Sequence, residues 1–380
     1  MAPAVWMWSD PAATAALRSR DLSTILRAYR HANELTQEAL AAILGYDKSY
    51  IAMIETRRRD PGDVVVRRHI ARGLGLPSHF LGVTEPDDAD FAALVQFGDS
   101  VIRLAEIARQ AGRAVEAVNE LWPLVARLEA RAAEGRLERD TLLLLASARL
   151  TLGVSLGTVL PEERLAAAAA WTGKALILAR HTNNQPFLAH TLRMHGNELR
   201  KAGRLPAAVA RLDHALAISA DPTGQGSALA LSARAAGEAG LPDRFEAAID
   251  RSRRLLDTGA EHGMLVNPFT LREIHARGLL ALGRPTQALR VLTAAGAGEP
   301  AAPQWQVIER VTAGEILTAS REHDGAQESL LAAITIAEQR RLPHQLQRAI
   351  RAASRGGLDA VAETGRAALR RLRDQLSPAT

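Results

Sequence analysis

Residues Leu192–Pro222 read LRMHGNELRKAGRLPAAVARLDHALAISADP, and their punctuation decides the fold. Small or apolar residues fall at Gly196, Leu199, Gly203, Leu205, Ala208, Leu212 and Ala215, a helical period interrupted once by a glycine. The pattern predicts two antiparallel helices joined by a tight corner. A pair of that kind cannot bury its apolar face alone, so further pairs must stack on it.

The chain repeats the arrangement. Alignment on the small residue of the second helix gives Ala117, Ala168, Ala208, Phe245, Ala288 and Ala326, at spacings of 51, 40, 37, 43 and 38. The series resembles the tetratricopeptide repeat (TPR), whose ideal unit is about 34 residues, so these units have longer helices or loops and the second is irregular. The resemblance implies an all-α chain with a right-handed α-solenoid of TPR-like helix pairs around an inner groove. No run of alternating β-branched residues suggests a strand. The Arg-rich amphipathic segment Leu358–Leu376 is expected to cap the stack.

Composition agrees with a helical interior. Hydrophobic residues make up 47% of the 380 but aromatics only 4%, so the core must be built from Ala, Leu, Val and Ile. Cysteine is absent, which excludes disulfides, thiolate metal sites and a cysteine nucleophile. The N-terminus MAPAVWMWSDP lacks a basic segment followed by a sustained apolar one, and the expectation is a cytoplasmic protein with no membrane partner. Lysine occurs three times against forty-four arginines, and the formal net charge is +5. Within 48–72 the excess sharpens to seven basic side chains against three acidic, a local patch suited to phosphate.

The breaks suggest a division into an N-terminal arm (1–20), a compact domain of five short helices (21–76), a linker (77–90) rich in Pro and Asp, repeats over 91–357, and a capping helix and tail (358–380). Trp122, Trp171 and Trp305 lie at helical spacing from Leu and Ala and read as packing residues rather than a ligand cage. Trp6 and Trp8 flank the compact domain and suit docking on its neighbour.

That compact domain carries the second informative stretch, Leu26–Pro61, LRAYRHANELTQEALAAILGYDKSYIAMIETRRRDP. Thr36 suits an N-cap with Gln37 in the first turn, Gly45 a corner, and Asp47 the cap of the next helix. Leu26, Leu40, Ile43, Leu44, Ile51, Ile54, Ile70 and Leu74 are spaced to share one core. The region Leu22–Leu76 resembles the Xre/Cro-type helix-turn-helix family, the class of the phage repressors. The resemblance implies a five-helix, lambda-repressor-like domain that binds a double-stranded DNA operator, in most members as a homodimer. Lys48, Ser49, Tyr50, Ala52 and Met53 would face the major groove, Gln37 would anchor a phosphate or base edge, and Arg57, Arg58 and Arg59 would neutralise the backbone. Lys48 suits guanine, and Tyr50 a thymine methyl.

Placing the repeat template on each unit puts Arg193, Asn197 and Arg200 on the groove side of the third, with Arg234 and Arg277 at the equivalent place in the next two and Glu315 in the sixth. Guanidiniums and an amide there suit a carboxylate, a phosphate or a peptide main chain. They would equally serve as polar residues on a solvated face. No HExxH, phosphate loop or nucleotide-binding glycine fingerprint is present, and Thr172-Gly173-Lys174 lacks the rest of such a loop. His262 and His275 stand isolated. No enzyme, metal or cofactor is therefore expected. The architecture is similar to that of peptide-responsive quorum-sensing regulators, which implies a transcription regulator sensing a peptide, a small anionic ligand or a protein partner. The alternative is a TPR interaction scaffold whose helix-turn-helix domain contacts protein rather than DNA.

Overall fold

Two kinds of corner organise the chain. One is a left-handed glycine closing a helix, followed within three residues by a proline opening the next: Gly203 (φ 73°) before Pro206, Gly240 (φ 70°) before Pro242, and Gly283 (φ 73°) before Pro285. Glycine adopts that φ without steric cost, and proline is preset for a first helical turn where its missing N–H costs nothing. The other corner is an Asn or Asp cap followed by proline. Asn184 accepts from Phe187 N at 3.0 Å, Asp221 from Gly224 N at 2.6 Å, and Asn267 from Thr270 N at 2.8 Å. The glycine corner turns the chain within a pair, and the capped corner starts the next pair.

The computed structural model describes residues 10–19, 21–76, 78–81, 83, 91–133, 137–258, 263, 265–294 and 302–376, and every regular element among them is helical. Helices α1 (Pro11–Ser19), α2 (Leu22–Ala32), α3 (Gln37–Leu44), α4 (Lys48–Glu55) and α5 (Val64–Gly73) come first, followed by a 3-10 turn, Ser78–Leu81. The longer α6 (Phe91–Gln110), α7 (Ala114–Ala133), α8 (Arg139–Val159) and α9 (Leu165–Ala179) follow. The pairs α10/α11 (Gln185–Lys201, Leu205–Ile218), α12/α13 (Pro222–Glu238, Pro242–Asp257), α14/α15 (Pro268–Ala281, Pro285–Thr293), α16/α17 (Pro303–Ala319, His323–Gln339) and α18/α19 (Pro343–Arg355, Asp359–Leu376) complete the chain. It divides into two compact units, Met1–Ala105 with Val118–Ala148 and Arg373–Thr380, and Glu106–Ala117 with Arg149–Leu372. Trp6, Trp8, His262 and most of the expected linker, including 84–90, lie outside the described residues.

In the first unit Leu22, Ile25, Leu26, Leu40, Leu44, Ile51, Ile54, Ile70 and Leu74 form one buried core, joined by Ala13 and Leu17 of α1 and by Leu81 and Val83. The fifth helix is thus α1, which precedes residue 21, and 21–76 holds four helices. Ile43 was expected in this core and is instead 43% exposed. It follows Leu40 by three residues and precedes Leu44 by one, on the shoulder of a short helix whose inner face Leu40, Ala41 and Leu44 already fill. Each fully buried Leu or Ile contributes about 1.5–3 kcal/mol.

In the second unit the repeat anchors Ala117, Ala168, Ala208, Phe245, Ala288 and Ala326 are all fully buried. Opposite them the first helices carry glycines where a side chain would collide. A Cβ at Gly196 would sit 2.7 Å from Leu212 Cγ, and one at Gly314 2.5 Å from Leu330 Cγ. Phe245 departs from the small-residue pattern. Its ring fills volume left by Gly237 and Gly278, where a Cβ on Gly278 would lie 2.1 Å from Phe245 Cε2. Helix α8 is long and apolar enough to cross a membrane, but 67% of its most apolar window is buried in the protein, as in the core helix of a globular fold.

Candidate nucleic-acid interface and ligand cavity

The corner before α4 is built as the sequence suggests at two of its three points. Thr36 Oγ1 accepts from Ala39 N at 3.1 Å, and Gly45 takes the left-handed conformation (φ 67°). Asp47 occupies the N-cap position with extended backbone, but its side chain makes no capping hydrogen bond. The corner is held instead by rings. Tyr46 packs on Tyr50 (centroids 4.8 Å) and meets His69 edge-on (5.5 Å), while a His69 ring nitrogen bonds the Leu44 carbonyl at 2.8 Å.

Helix α4 buries Ile51 and Ile54 and leaves Lys48 and Ser49 exposed, with Ala52 and Met53 partly so. Lys48 Nζ lies 3.7 Å from Glu38 Oε2, but at 61% and 79% side-chain exposure the pair holds Lys48 weakly. Tyr50 is half-buried between Tyr46 and the Arg59 guanidinium, which sits 4.8 Å from its ring centroid. Arg57, in the left-handed region (φ 59°), pairs with Asp21 at 2.8 Å. The Thr24 hydroxyl, and Arg57 with it, hold the Asp21 carboxyl below its usual range. Arg58 is exposed at the helix end and makes no side-chain hydrogen bond among the described residues. Arg67 is occupied structurally, donating to the carbonyls of Pro61 and Leu81 (both 2.7 Å) and to Asp60 (2.8 Å).

Beneath α4 lies a clamp. Glu55, its last residue, is buried and accepts from Arg30 of α2 (2.9 and 3.2 Å) and from Gln37 Nε2 of α3 (2.8 Å). The Ser23 hydroxyl donates to the Glu55 carbonyl at 2.7 Å. One carboxylate thus ties three helices together, and Gln37 is turned partly inward to serve it.

In the second unit two cavities share Arg200, Lys201 and His344 in their walls. The larger, about 690 Å3, also meets Glu238, Arg277, Glu315 and Arg348. The smaller, about 130 Å3, meets Arg109, Asn197, Arg234, Gln304 and Trp305. Glu238 Oε1 accepts from both Arg200 (2.7 Å) and Arg277 (2.8 Å). Burial raises the Glu238 pKa, but the charges of Arg200, Arg277 and Arg234 outweigh it and hold the carboxyl at about 2. Arg348 pairs with Glu315 at 2.6 Å, and Arg200 also donates to Asn197 Oδ1. Trp305 is buried with the Arg234 guanidinium 5.4 Å from its centroid, whereas Trp171 carries Lys174 over its ring at 4.0 Å.

A family profile described as a helix-turn-helix domain matches residues 21–79. Residues 21–79 are a helix-turn-helix domain. No curated protein matches the chain. Among solved structures it is similar to Bacillus thuringiensis PlcR in complex with the peptide PapR7 and DNA, at 16% identity over 72% of this chain and 92% of that one, with a TM-score of 0.37. It is also similar to the TPR domain of P58(IPK), at 15% identity over 97% and 98% of the two chains (TM-score 0.24). A circular tandem repeat protein matches at 14% identity over 98% and 95% (TM-score 0.20).

Of the residues expected to line the groove, Asn197, Arg200, Arg234 and Arg277 line the two cavities and Arg193 lines neither. Arg193 donates instead to the Gly224 carbonyl (3.3 Å) and to His190 Nδ1 (2.8 Å). In the helix-turn-helix domain, Lys48, Ser49, Ala52, Met53 and Arg58 share the accessible side and end of α4. Gln37, Tyr50 and Arg57 have partners inside the domain. Sequence reading missed the Arg30–Glu55 clamp and the cavity residues Lys201, Gln304, His344 and Arg348. The only signal for the clamp was a glutamate closing a short helix where apolar residues fill the inner face.

Proposed function

We propose that the protein is a sequence-specific DNA-binding transcription regulator, acting in the cytoplasm as a homodimer, with a repeat domain that senses a ligand. In this reading 21–76 binds DNA on a core that Leu81 and Val83 of the expected linker also join, the remainder of 77–90 links, 91–357 senses and 358–380 caps. The observation that carries it is the presentation of α4. Its underside is fixed by Ile51, Ile54 and the Glu55 clamp, and its outer side offers Lys48, Ser49, Ala52 and Met53 with Arg58 and Arg59 at the end. A helix held from beneath, with Lys48 and Ser49 exposed beside the small Ala52 and flexible Met53 and with arginines at its end, suits a major groove between two phosphate rows. The cavity cations support an anionic ligand for the sensing half.

The test is fluorescence anisotropy on duplexes chosen by in vitro selection, with random duplex as reference. Lys48→Ala is expected to cost about 1–3 kcal/mol on the selected site and far less on random DNA. Arg58→Ala is expected to weaken both alike and to reduce the salt slope by about one phosphate. Failure to select any sequence, or equal losses on both duplexes for Lys48→Ala, counts against sequence reading by α4.

A further inference from the structure

The smaller cavity of the second unit is walled by four cations, Arg109, Arg200, Lys201 and Arg234, with no Asp or Glu among its lining residues. Three have a carboxylate partner: Arg109 has Glu106 (2.9 Å), Arg200 has Glu238 (2.7 Å), which it shares with Arg277, and Lys201 has Glu198 (2.8 Å). Arg234 has none. It is 9% exposed, makes no hydrogen bond to any described residue, and its Nε is fully buried without a partner. The closest thing to a partner is the Trp305 face. Glu273 acts on it electrostatically, but one Glu273 oxygen accepts from Thr312 and the other is unpartnered. Burial, reinforced by Arg200 and Arg277, pushes the Arg234 pKa well below the ordinary guanidinium range. A buried guanidinium left this way is costly to the fold, and an anion at its edge would remove the cost.

A second orphan belongs to another lining residue of this cavity. Gln304 Oε1 is buried and accepts from nothing. Two residues lining a space of about four liquid-water volumes thus carry one unsatisfied donor and one unsatisfied acceptor, which describes a small complementary group. We propose that this cavity binds a small oxyanion that also carries an O–H group, a protonated phosphate or a hydroxycarboxylate, with Arg234 donating to the anionic oxygens and Gln304 accepting from the hydroxyl. The larger cavity, sharing Arg200, Lys201 and His344, has room for the remainder of such a molecule. This rests on the sensing half of the proposed function and narrows its ligand class.

The experiment uses the full chain without DNA, at constant ionic strength set with chloride. Inorganic phosphate, glycolate and acetate are titrated by calorimetry, and thermal unfolding is followed in parallel. Saturable 1:1 binding of phosphate or glycolate is expected, about fivefold or more tighter than acetate. Phosphate alone identifies a phosphate group and glycolate alone a hydroxy acid. Arg234→Gln is expected to weaken binding about tenfold or more while leaving the ligand-free unfolding temperature equal to or above that of the parent, because it removes an unpaired buried charge. Gln304→Leu is expected to weaken phosphate and glycolate about threefold and leave acetate unchanged. Arg290→Gln, an exposed arginine outside both cavities, is expected to change nothing. No saturable binding of any probe overturns the site, as does an Arg234→Gln protein that melts earlier yet binds normally. Acetate binding as tightly as the others overturns the hydroxyl half. Because no DNA is present, either failure leaves the reading of α4 standing, and loss of DNA binding in a protein that still binds the anion would sink only that reading.

Discussion

Replacing Glu55 by Gln should loosen the helix-turn-helix domain without changing its surface. The Glu55 side chain is 4% exposed and accepts two hydrogen bonds from Arg30 and one from Gln37. The amide preserves shape but removes the charge and turns one acceptor into a donor that faces Arg30. Breaking a buried ion pair from one side costs about 3–5 kcal/mol. Arg30 is 30% exposed, so water recovers part of its solvation and the expected loss falls to about 2 kcal/mol. Native-state hydrogen exchange in the full chain reads this locally. Protected amides of α2, α3 and α4 should exchange about 30-fold faster, and those of α10–α18 should not change. The double variant Arg30→Met/Glu55→Gln should recover at least half of the loss, because neither partner is then left charged and buried. Exchange within about threefold of the parent, or a double variant whose losses simply add, would refute the clamp as the element that ties α4 to α2 and α3.

Two further outcomes test the second unit. Gly278→Ala places a Cβ 2.1 Å from Phe245 Cε2, and Phe245 is fully buried, so overpacking should exceed the helix-propensity gain of about 1 kcal/mol and leave a net loss of about 2 kcal/mol, visible as a lower unfolding temperature; adding Phe245→Leu should restore most of it, and a stabilised single variant would refute the packing. Unfolding temperature should also fall with pH below neutrality. Burial, aided by Arg211 for His195 and by Arg253 for His275, lowers both imidazoles from 6.5 to about 4, so their contribution is complete above pH 6.5 and lost progressively towards pH 4. The Glu238 contribution, with its carboxyl lowered from 4.5 to about 2, is complete above pH 4.5 and lost below it. A melting temperature flat between pH 6.5 and 4.5 would contradict the histidine assignment.

Periodicity and punctuation made the helices and the repeat legible because both are local. The anchors Ala117, Ala168, Ala208, Ala288 and Ala326 are small because a neighbouring helix crosses at them, and that requirement shows in a single sequence. Phe245 breaks the rule in sequence and obeys it in space, since Gly237 and Gly278, on two other helices, each give up a Cβ to seat its ring. Compensation of that kind cannot be read from spacing along one helix. Ile43 failed for a related reason: on an eight-residue helix the apolar stripe is wider than the buried face, and Leu40, Ala41 and Leu44 had already filled it.

The polar positions were harder, and Arg193 and Arg234 show why. Both are arginines on the first helix of a pair, and the repeat template assigned both to the groove. Arg193 lies one turn before Asn197, at a height where the first turn of α12 offers the Gly224 carbonyl and His190 offers Nδ1, so its guanidinium is consumed at the boundary between pairs. Arg234 occupies the position equivalent to Asn197, where Glu238, one turn further along the same helix, would be its natural i,i+4 partner. Glu238 is already taken by Arg200 from the preceding pair and Arg277 from the following one, both through the same oxygen. The competition involves three helices separated by about forty residues each, and its result, one cation with no carboxylate hydrogen-bonded to it, exists only after the pairs have stacked. Buried charge pairs add little net stability over apolar packing. A buried cation with no hydrogen-bonded partner subtracts from it, and the anion proposed at Arg234 would offset that cost.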